Sequence, residues 1–422
     1  MGTIQIKPII IVGSGAAGIM AAIRAKKHYD KVIILEQNNE LGKKLKATGG
    51  GKCNLTNTLD DESFIKSFGK NGKFIRDVIY QFNSQDLRDF FQSIGVQTHC
   101  PDGFRVFPHT HSSSTIINAL KNYLDRLNIP ILYNTIVKDI KTENNNIKYI
   151  TTNQGDIECS YLILATGGLG YQTLGATGKG HILAQKLGHK ITSVYPAMMP
   201  LFTKEKWVAN CTADTIPKVT IYVDIKKYKK LTATGDLIFT KKGIRGPVVL
   251  DFAREITPLF DKYDSIPIIV QLLNKTEDEI IQIFKQLSQK NPHNTILDHL
   301  KTLLPLSLSN EFLELLEINP TLTYKNIKGS KKDQLIKLLA KTPLTIIGHD
   351  GFKQAMITRG GVSLKDIDPK TMKSKIINNL SFCGELIDID GPCGGYNLQW
   401  AFSSGYVAGL WNLDFTGNFF TS

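Results

Sequence analysis

Metal-binding and redox-active cysteine patterns are missing from this sequence. Its six cysteines, spread over 422 residues, include no CxxC pair and no paired Cys/His spacing. Zinc, iron–sulfur and thioredoxin-type sites therefore lack support, and we expect reduced thiols and no metal site.

Long apolar runs are missing as well. No stretch is long enough to span a bilayer, and no small-residue cleavage pattern follows the apolar run near the N-terminus. We therefore expect a cytoplasmic protein without a membrane partner.

Basic residues are plentiful, but they form no long run with interleaved aromatics. The formal net charge is +13, and the lysines are scattered apart from short clusters such as Lys226-Lys227-Tyr228-Lys229-Lys230 and Lys331-Lys332. A charge of this size is compatible with a nucleic-acid partner, whereas the scattered pattern favours a solvated basic surface. We expect a small-molecule substrate and no nucleic acid, and the oligomeric state stays open.

The most informative segment lies close to the N-terminus. The apolar run 9–12 leads into a GxGxxG turn, Gly13-Ser14-Gly15-Ala16-Ala17-Gly18, and a second predicted strand ends in Glu36. In this pattern the glycines allow a tight turn, close approach of a pyrophosphate and close helix–strand packing. The helix N-terminus attracts phosphate, and the acid accepts hydrogen bonds from a ribose. The segment predicts a dinucleotide-binding βαβ unit.

After the N-terminal region, the hydrophobic pattern of the sequence changes twice. Helical apolar spacing covers about 74–95 and 112–127, and a hairpin pattern with its turn at 144–146 follows. Short alternating segments over 191–275 suggest a small β-barrel or sandwich, and amphipathic helices fill 276–344. Residues 345–422 are again rich in glycine, like the N-terminal region. We therefore predict a discontinuous nucleotide-binding domain, residues 1–190 and 345–422, of the α/β class and Rossmann-like, with an insertion of two subdomains.

Three further glycine-rich segments have compositions suited to ligand binding. Three consecutive glycines, 49–51, suit a loop that donates main-chain N–H groups to a flat or anionic ligand, although a flexible surface loop is the alternative. An apolar strand ends in Ala165-Thr166-Gly167-Gly168. The pair Gly394-Gly395 opens a helix whose N-terminus suits a reduced flavin, which is anionic at its N1/O2 edge. Glu385 suits either a polyol such as ribityl or surface solvation.

These segments resemble the BaiN/YhiN-type flavoproteins over nearly the whole chain. The resemblance rests on the GxGxxG opening and on the segments 49–57, 105–108, 165–168, 239–247, 358–362 and 384–399. It implies an FAD-binding domain of the glutathione-reductase type, interrupted by a β-barrel and a small helical subdomain. The chain departs from the family pattern at Gly178-Lys179-Gly180 and at Gly170-Tyr171-Gln172.

The resemblance also implies a set of FAD-binding residues. The set comprises Gly13, Ser14, Gly15, Ala16, Ala17, Gly18, Glu36, Gln37, Lys44, Thr48, Gly49, Gly50, Gly51, Lys52, Cys53, Asn54, Ala165, Thr166, Gly167, Gly384, Glu385, Gly395, Tyr396, Asn397 and Leu398. Cys53 has no partner cysteine nearby, so packing or flavin contact is favoured over a redox-active thiol.

FAD implies hydride transfer through flavin N5. The chain has no second nucleotide-binding fingerprint, because 175–180 has neither GxGxxG nor Walker A spacing. NAD(P)H therefore visits the flavin transiently, or another donor serves. The resemblance implies reduction of a carbon–carbon double bond in a small or sterol-like organic molecule. The alternatives are a flavin oxidase that uses oxygen, such as an amine oxidase, and a flavin-containing RNA-modifying or RNA-binding protein. Candidate catalytic proton donors are Tyr396, Tyr171 and Arg105, with His349 as a further candidate.

Overall fold

The computed structural model describes residues 7–410. Contacts divide the chain into two compact units, of which the first comprises the described residues up to Tyr195 and from Ile357, and the second Pro196–Met356. The helices are α1 (Ala16–Lys26), α2 (Lys43–Ala47), α3 (Asp61–Lys66), α4 (Gly72–Gln81), α5 (Ser84–Ser93), α6 (Ser113–Arg126), α7 (Lys179–Lys186), α8 (Pro247–Ile256), α9 (Glu277–Lys290), α10 (Ile296–Leu300), α11 (Leu306–Leu315), α12 (Gly329–Ala340) and α13 (Tyr396–Ala408). The strands are β1 (Ile9–Val12), β2 (Val32–Leu35), β3 (Thr56–Asn57), β4 (Thr98–His99), β5 (Arg105–Pro108), β6 (Ile131–Leu132), β7 (Val137–Glu143), β8 (Asn146–Thr152), β9 (Gly155–Glu158), β10 (Tyr161–Leu164), β11 (Tyr195–Ala197), β12 (Leu201–Thr203), β13 (Thr215–Val223), β14 (Thr232–Thr240), β15 (Gly243–Arg245), β16 (Ile266–Gln271), β17 (Thr342–His349), β18 (Ile357–Arg359) and β19 (Leu380–Phe382).

A five-stranded parallel sheet is the centre of the first unit. Its order is β19-β10-β1-β2-β6, so strands from both ends of the chain lie side by side. The runs IIIV and YLIL are wholly buried, as expected for central strands covered on both faces. Helices α1 and α13 pack against each other and bury most of their small residues. The predicted Rossmann-like α/β class is confirmed.

Two antiparallel sheets complete the first unit. One is the meander β7-β8-β9, whose first turn contains Asn144 and Asn145 with φ of 50° and 56°. Two consecutive left-handed residues give a turn that matches the twist of a hairpin, so the asparagines explain the predicted turn. The other sheet, β3-β5-β4, lies in sequence between the glycine loop and α6.

The second unit is built around a closed barrel of order β12-β15-β14-β13-β16-β17. The barrel alternative of the sequence pattern is therefore confirmed over the sandwich. Helices α9 and α10 each begin with a capping box, formed by Thr276 with Glu279 and by Thr295 with Asp298. One buried cluster contains Phe239 of the barrel and side chains of these helices.

The limits of the compact units differ from those placed on the sequence pattern. The units change at 195/196 and 356/357, whereas the pattern placed the changes at 190/191 and 344/345. The second difference has a physical cause: β17 follows the helices in sequence but pairs with β12 and β16 to close the barrel. The division of the insertion at residue 275 stays a prediction.

Candidate functional site

Four of the glycine-rich or acidic segments lie at one edge of the parallel sheet. Gly13 follows β1, Glu36 follows β2, Ala165 follows β10, and the pair Gly384-Glu385 follows β19 by one residue. Because all the strands are parallel, their carboxyl ends share this edge, which is where open α/β sheets bind their ligands.

The three glycines of the first turn have different surroundings. A Cβ at Gly13, where φ is 107°, would lie 2.5 Å from the Ala165 carbonyl oxygen, and a Cβ at Gly18 would lie 1.9 Å from that of Gly13. A Cβ at Gly15 would meet nothing within 4 Å. The outer two glycines are thus required by packing, and the middle one borders open space at the start of α1. This arrangement fits a pyrophosphate, because the N-terminal N–H groups of the helix are unpaired donors. Ala16 and Ala17 are buried in the first turn of α1.

Glu36 is held beside that turn by a dense set of hydrogen bonds. Its Oε2 accepts from Ser14 N (2.9 Å) and Ser14 Oγ (2.6 Å), and its Oε1 accepts from Asn38 N and Nδ2, both at 2.8 Å. The carboxylate is buried and fixed in orientation. Gln37 points elsewhere, because its Nε2 donates to the Gly175 carbonyl oxygen.

The glycine loop, Thr48–Gly51, is a tight, kinked segment in which Gly49 and Gly50 have non-helical dihedral angles. Gly49, Gly50 and Gly51 all have positive φ, at 58°, 65° and 89°. A Cβ at Gly50 or Gly51 would meet nothing within 4 Å. Successive glycines with left-handed dihedrals leave main-chain groups open on one side, which fits contact with a flat ligand. Lys52 is exposed beside them.

Cys53, which follows this loop, is buried and also has a left-handed φ of 59°. Burial raises the pKa of its thiol to about 12, against a smaller opposing effect of the hydrogen bond with Thr48. The thiol is therefore neutral at physiological pH and a poor nucleophile. The geometry favours the packing or flavin-contact reading of Cys53.

Glu385 forms an ion pair across the edge of the sheet. Lys44 Nζ lies 2.5 Å from Glu385 Oε2, and Thr358 N donates to Glu385 Oε1 at 2.7 Å. Both side chains of the ion pair are about a quarter exposed. A hydroxyl-rich chain can therefore reach the carboxylate, which fits the ribityl reading.

The N-terminus of α13 is tied to the glycine-loop region. In the amide orientation that satisfies all of its neighbours, the Asn54 side-chain oxygen accepts from Gly395 N at 3.0 Å. Asn57 Nδ2 donates to the Gly394 carbonyl oxygen at 3.0 Å. Gly395 has φ of 89°, and a Cβ there would lie 2.4 Å from the Thr56 carbonyl oxygen. Asn397 bonds back to Gly391 through both ends of its amide. The N-terminus of α13 is thus held in place by a segment more than 300 residues earlier in the sequence.

The remaining predicted FAD-binding residues lie in the same unit. Gly384 donates its N–H to Ser404 Oγ at 2.9 Å, and its φ is 72°. Gly167 also has a positive φ, 69°. Thr166 Oγ1 is buried and has no hydrogen-bond partner among residues 7–410. Such an orphaned group at the carboxyl edge fits a bound ligand or an ordered water. Leu398 is half-buried against the core.

The candidate proton donors have different environments. Tyr396 is buried among aromatic rings, with centroids 5.0 Å from Phe64 and 5.9 Å from Phe68. Arg105 is exposed, and its Nε lies 2.6 Å from Asp102 Oδ2. His349 belongs to the second unit, where its Nδ1 accepts from Gly351 N.

Tyr171 is half-buried and has an unusual φ of 58°. Burial raises the pKa of its phenol from the ordinary value of 10.0, so the hydroxyl is protonated at neutral pH, as an unperturbed phenol also is. An unfavourable dihedral at a non-glycine residue is typical of functional positions. Tyr171 is therefore the strongest of the four candidates, and all four roles stay predictions.

Sequence comparison identifies the family. The model of the family described as HI0933-like protein Rossmann domain matches residues 7–411. The chain belongs to the HI0933-like family. The resemblance to BaiN/YhiN-type flavoproteins is thereby confirmed, and the chain is an FAD-dependent oxidoreductase.

Two relatives of the HI0933-like chain match it over nearly their whole length. The 3-dehydro-bile acid delta(4,6)-reductase of Clostridium scindens is 32% identical, with 94% of this chain and 97% of the relative covered. The ribosomal RNA dihydrouridine synthase of Haemophilus influenzae is 30% identical, with 95% and 97% covered.

Solved structures share the fold. The 3-ketosteroid-delta4-(5alpha)-dehydrogenase of Rhodococcus jostii RHA1 has a TM-score of 0.51 at 13% identity, covering 96% of this chain and 97% of its own. The 3-ketosteroid delta1-dehydrogenase of Sterolibacterium denitrificans has a TM-score of 0.51 at 11% identity, with 95% and 98% covered. At such identities the likeness shows the fold alone.

Several residues that hold the site together were assigned no role from the sequence, although Asn57 and Thr358 lie in the segments 49–57 and 358–362 that carry the family resemblance. Asn38 and Asn57 complete the hydrogen bonding of Glu36 and of Gly394, and Thr358 orients Glu385. Two asparagines beside glycine-rich turns are readable signals, since asparagine amides commonly bond to nearby main chain. Thr358 lies 27 residues before its partner, and no spacing rule connects the two.

Two structural findings concern metal ions and membranes. Over 7–410, no group of three or more His, Cys, Asp or Glu side chains is arranged to hold a metal ion. Within the same residues no helix combines the length and the apolar character needed to cross a bilayer.

Proposed function

We propose that this oxidoreductase reduces a carbon–carbon double bond conjugated to a carbonyl in a small or sterol-like molecule, with NAD(P)H as a transient electron donor. The observation that carries the proposal is the 32% identity, over 94% of the chain, to a reductase whose name specifies two such double bonds. The cytoplasmic location and the absence of a membrane partner stay predictions.

The fold supplies the cofactor's surroundings. Bound FAD supplies hydride transfer through its N5 atom. The open face at Gly15 and the N-terminus of α1 fit its pyrophosphate, Glu36 its adenosine ribose, and Glu385 its ribityl chain. The N-terminus of α13 offsets negative charge, because its first N–H groups carry partial positive charge.

Tyr171 is the proposed proton donor. Reduction of a conjugated double bond adds a hydride at one carbon and a proton at the other, so the site needs an acid near the substrate. Its half-buried phenol holds a proton at neutral pH and can donate it. The pairing of Arg105 with Asp102 and the packing of Tyr396 make these two residues the weaker candidates.

The first experiment records the absorption spectrum of the purified protein and then adds NADH or NADPH without oxygen. We expect flavin bands that bleach with one nucleotide and return when a 3-oxo-4,6-diene steroid is added. Tyr171→Phe should bleach at the normal rate but return its colour about 100-fold more slowly, since general acid catalysis contributes about 10²–10⁴-fold.

The opposite results exclude this function. Return of colour only with oxygen, together with hydrogen peroxide formation, would identify a flavin oxidase. Equal reoxidation rates in the wild type and Tyr171→Phe would remove the phenol from the mechanism, and Arg105→Gln and Tyr396→Phe would then be compared in the same assay.

A second candidate substrate is a uridine in ribosomal RNA. The synthase relative is 30% identical over 95% of the chain, and its named product is a uridine that has gained two hydrogens across its ring double bond. The lysine cluster supports this candidate. Lys226, Lys227, Lys229 and Lys230 are exposed between β13 and β14, and none of the four ammonium groups has a hydrogen bond or ion pair with any residue in 7–410.

Salt-dependent RNA binding tests the second candidate. Replacing these four lysines with glutamine should lower the slope of log K against log salt by roughly 3, because each phosphate contact contributes about 0.7 to 0.9. A matched control replaces Lys325, Lys328, Lys331 and Lys332, of which Lys331 is already bonded to Leu316 and Glu317. Equal slopes for both variants would indicate a non-specific basic surface. Dihydrouridine missing from the ribosomal RNA of a deletion strain would establish the activity.

A further inference from the structure

A buried threonine connects the two sides of the proposed site. Thr358, the middle residue of β18, is 1% exposed. Its side chain contacts the segment that follows β10, and its main chain contacts the acid that follows β19.

The side chain of Thr358 holds the segment that leads to Tyr171. Thr358 Oγ1 accepts hydrogen bonds from Leu169 N at 2.7 Å and from Gly170 N at 3.1 Å. A Cβ at Gly168 would lie 2.3 Å from this oxygen. The hydroxyl can therefore approach only because residue 168 is a glycine. One oxygen thus fixes two consecutive amides immediately before Tyr171.

The main chain of Thr358 holds the carboxylate of Glu385. Its N–H donates to Oε1 at 2.7 Å, while Lys44 binds Oε2 at 2.5 Å. Each carboxylate oxygen thus has one charged or main-chain donor, and the plane of the carboxylate is fixed. Charge-assisted hydrogen bonds of this kind are stronger than neutral ones.

We propose that Thr358 is a positioning residue that fixes Tyr171 and Glu385 relative to each other, its hydroxyl serving the first and its N–H the second. The inference rests on the proposed function in one respect, the role of Tyr171 as proton donor. The two tasks use different atoms, so a side-chain substitution separates them. Removing the hydroxyl releases the Tyr171 segment and leaves the hydrogen bond to Glu385 in place.

The experiment compares Thr358→Val with Thr358→Ser. Valine keeps the shape but removes the acceptor, so two buried amides lose their partner. We expect about tenfold faster hydrogen exchange at Leu169 and Gly170, a change of less than about threefold in the dissociation constant of FAD, and reoxidation by the dienone slowed about as much as in Tyr171→Phe. Serine keeps the oxygen and should restore all three values.

Thr257→Val is the matched control. Thr257 is also buried, but its Oγ1 has no hydrogen-bond partner in the part of the chain that the structure describes. The same substitution there removes no hydrogen bond and should leave exchange at Leu169 and Gly170 unchanged. Glu385→Gln is the reference for loss of FAD affinity.

Two results would overturn the proposal. One is unchanged exchange at both amides in Thr358→Val, and the other is weakening of FAD binding equal to that in Glu385→Gln. If the valine variant does not fold, hydrogen exchange of the wild-type protein still tests the proposal. Amides of residues 169 and 170 that exchange as fast as the amide of the exposed Gln172 would show that their hydrogen bonds to Thr358 are not formed. Exchange and FAD binding need no substrate. A dienone that fails to reoxidise the wild type would therefore reject the proposed function and leave this test intact.

Discussion

Gly15 and Gly18 are the same residue type in one turn, but their hydrogen atoms face different surroundings. The Gly15 hydrogen faces open space, whereas a Cβ at Gly18 would overlap the Gly13 carbonyl oxygen. Gly15 also has an extended backbone, with φ of −78° and ψ of −177°, which any residue adopts. A substitution at Gly15 should therefore reduce ligand binding without reducing stability, and a substitution at Gly18 should reduce stability.

Gly15→Val should fold normally and purify without FAD, because its side chain occupies the approach of the pyrophosphate. We expect its melting temperature to stay within about 2 °C of the wild-type apoprotein. Gly18→Ala should lose about 3 kcal/mol of stability, since overpacking against a main-chain oxygen cannot be relieved by a rotamer change. Thermal unfolding and the flavin-to-protein absorbance ratio measure both effects.

Gly15→Val that purifies yellow at wild-type stoichiometry would contradict the pyrophosphate assignment. A Gly18→Ala variant as stable as the wild type would contradict the packing role of the third glycine.

The relative positions of residues that lie close together in the sequence could be predicted. The turn glycines and Glu36 lie within one βαβ unit, and the fingerprint fixes their relative positions. Thr358 begins the segment 358–362 that carries part of the family resemblance, but its role could not be predicted, because its hydrogen bonds join segments 27 and 189 residues apart. A single threonine has no periodic signal that would indicate such partners.

Among the elements, α13 approaches α1 closely enough to exclude side chains. A Cβ at Gly405 would lie 2.2 Å from the Ala17 carbonyl oxygen, and one at Gly409 would lie 2.4 Å from that of Ala21. The N-terminus of α1 borders the proposed pyrophosphate position, so this contact supports the orientation of the FAD-binding turn.

Gly405→Ala should lower the free energy of unfolding by about 1–3 kcal/mol and weaken FAD binding. Alanine is favoured over glycine in a helix interior by about 1 kcal/mol, so a loss identifies the contact as its cause. Gly329→Ala is the control, since Gly329 is in the first turn of α12 and a Cβ there meets nothing within 4 Å. Urea unfolding checks both variants. Equal free energies of unfolding for Gly405→Ala and Gly329→Ala would mean that α1 and α13 can move apart without loss of stability.

Element boundaries were harder to predict than element types. Apolar spacing over about 74–95 predicts helix, and the structure has α4 and α5 separated at Phe82 and Asn83. Asn83 caps α5 in a capping box with Asp86. The Asn-x-x-Asp spacing was visible in the sequence, but apolar periodicity continues across it and conceals the break.

For the whole molecule, buried thiols predict sensitivity to alkali. Burial raises the pKa of Cys53, Cys159 and Cys211 from the ordinary 9.0 to about 12, and that of Cys383 further still. Between pH 9 and pH 12 the unfolded chain loses these protons and the folded chain keeps them. These thiols therefore do not affect the free energy of unfolding below pH 9, and they lower it as the pH rises above 9.

The slope of unfolding free energy against pH measures this effect. Each thiol should contribute a decrease of about 1.4 kcal/mol per pH unit above pH 9. Removing two thiols outside the proposed site, in the variant Cys159→Ala with Cys211→Ala, should reduce the slope by about 3 kcal/mol per pH unit. An unchanged slope would show that these thiols ionise equally in the folded and unfolded protein.

The overall architecture could be predicted in outline. Glycine-rich segments lie on both sides of the insertion, which indicates one domain made of two separate parts of the chain. Closure of the barrel could not be predicted. β17 pairs with β12, about 140 residues earlier, with the helices between them in sequence. Pairing over such distances depends on tertiary contacts that alternating hydrophobicity does not encode.

The order of strands in the parallel sheet has a consequence for synthesis on the ribosome. β1, β2 and β10 are translated before the second unit, whereas β19, Glu385 and α13 are translated after it. Because domains generally fold as units during synthesis, the contiguous second unit can fold while the first still lacks two strands, β18 and β19, and its last helix. On the proposed FAD site, capture of the cofactor has to wait for nearly the entire chain, and we expect a ribosome stalled before residue 380 to carry a colourless nascent chain.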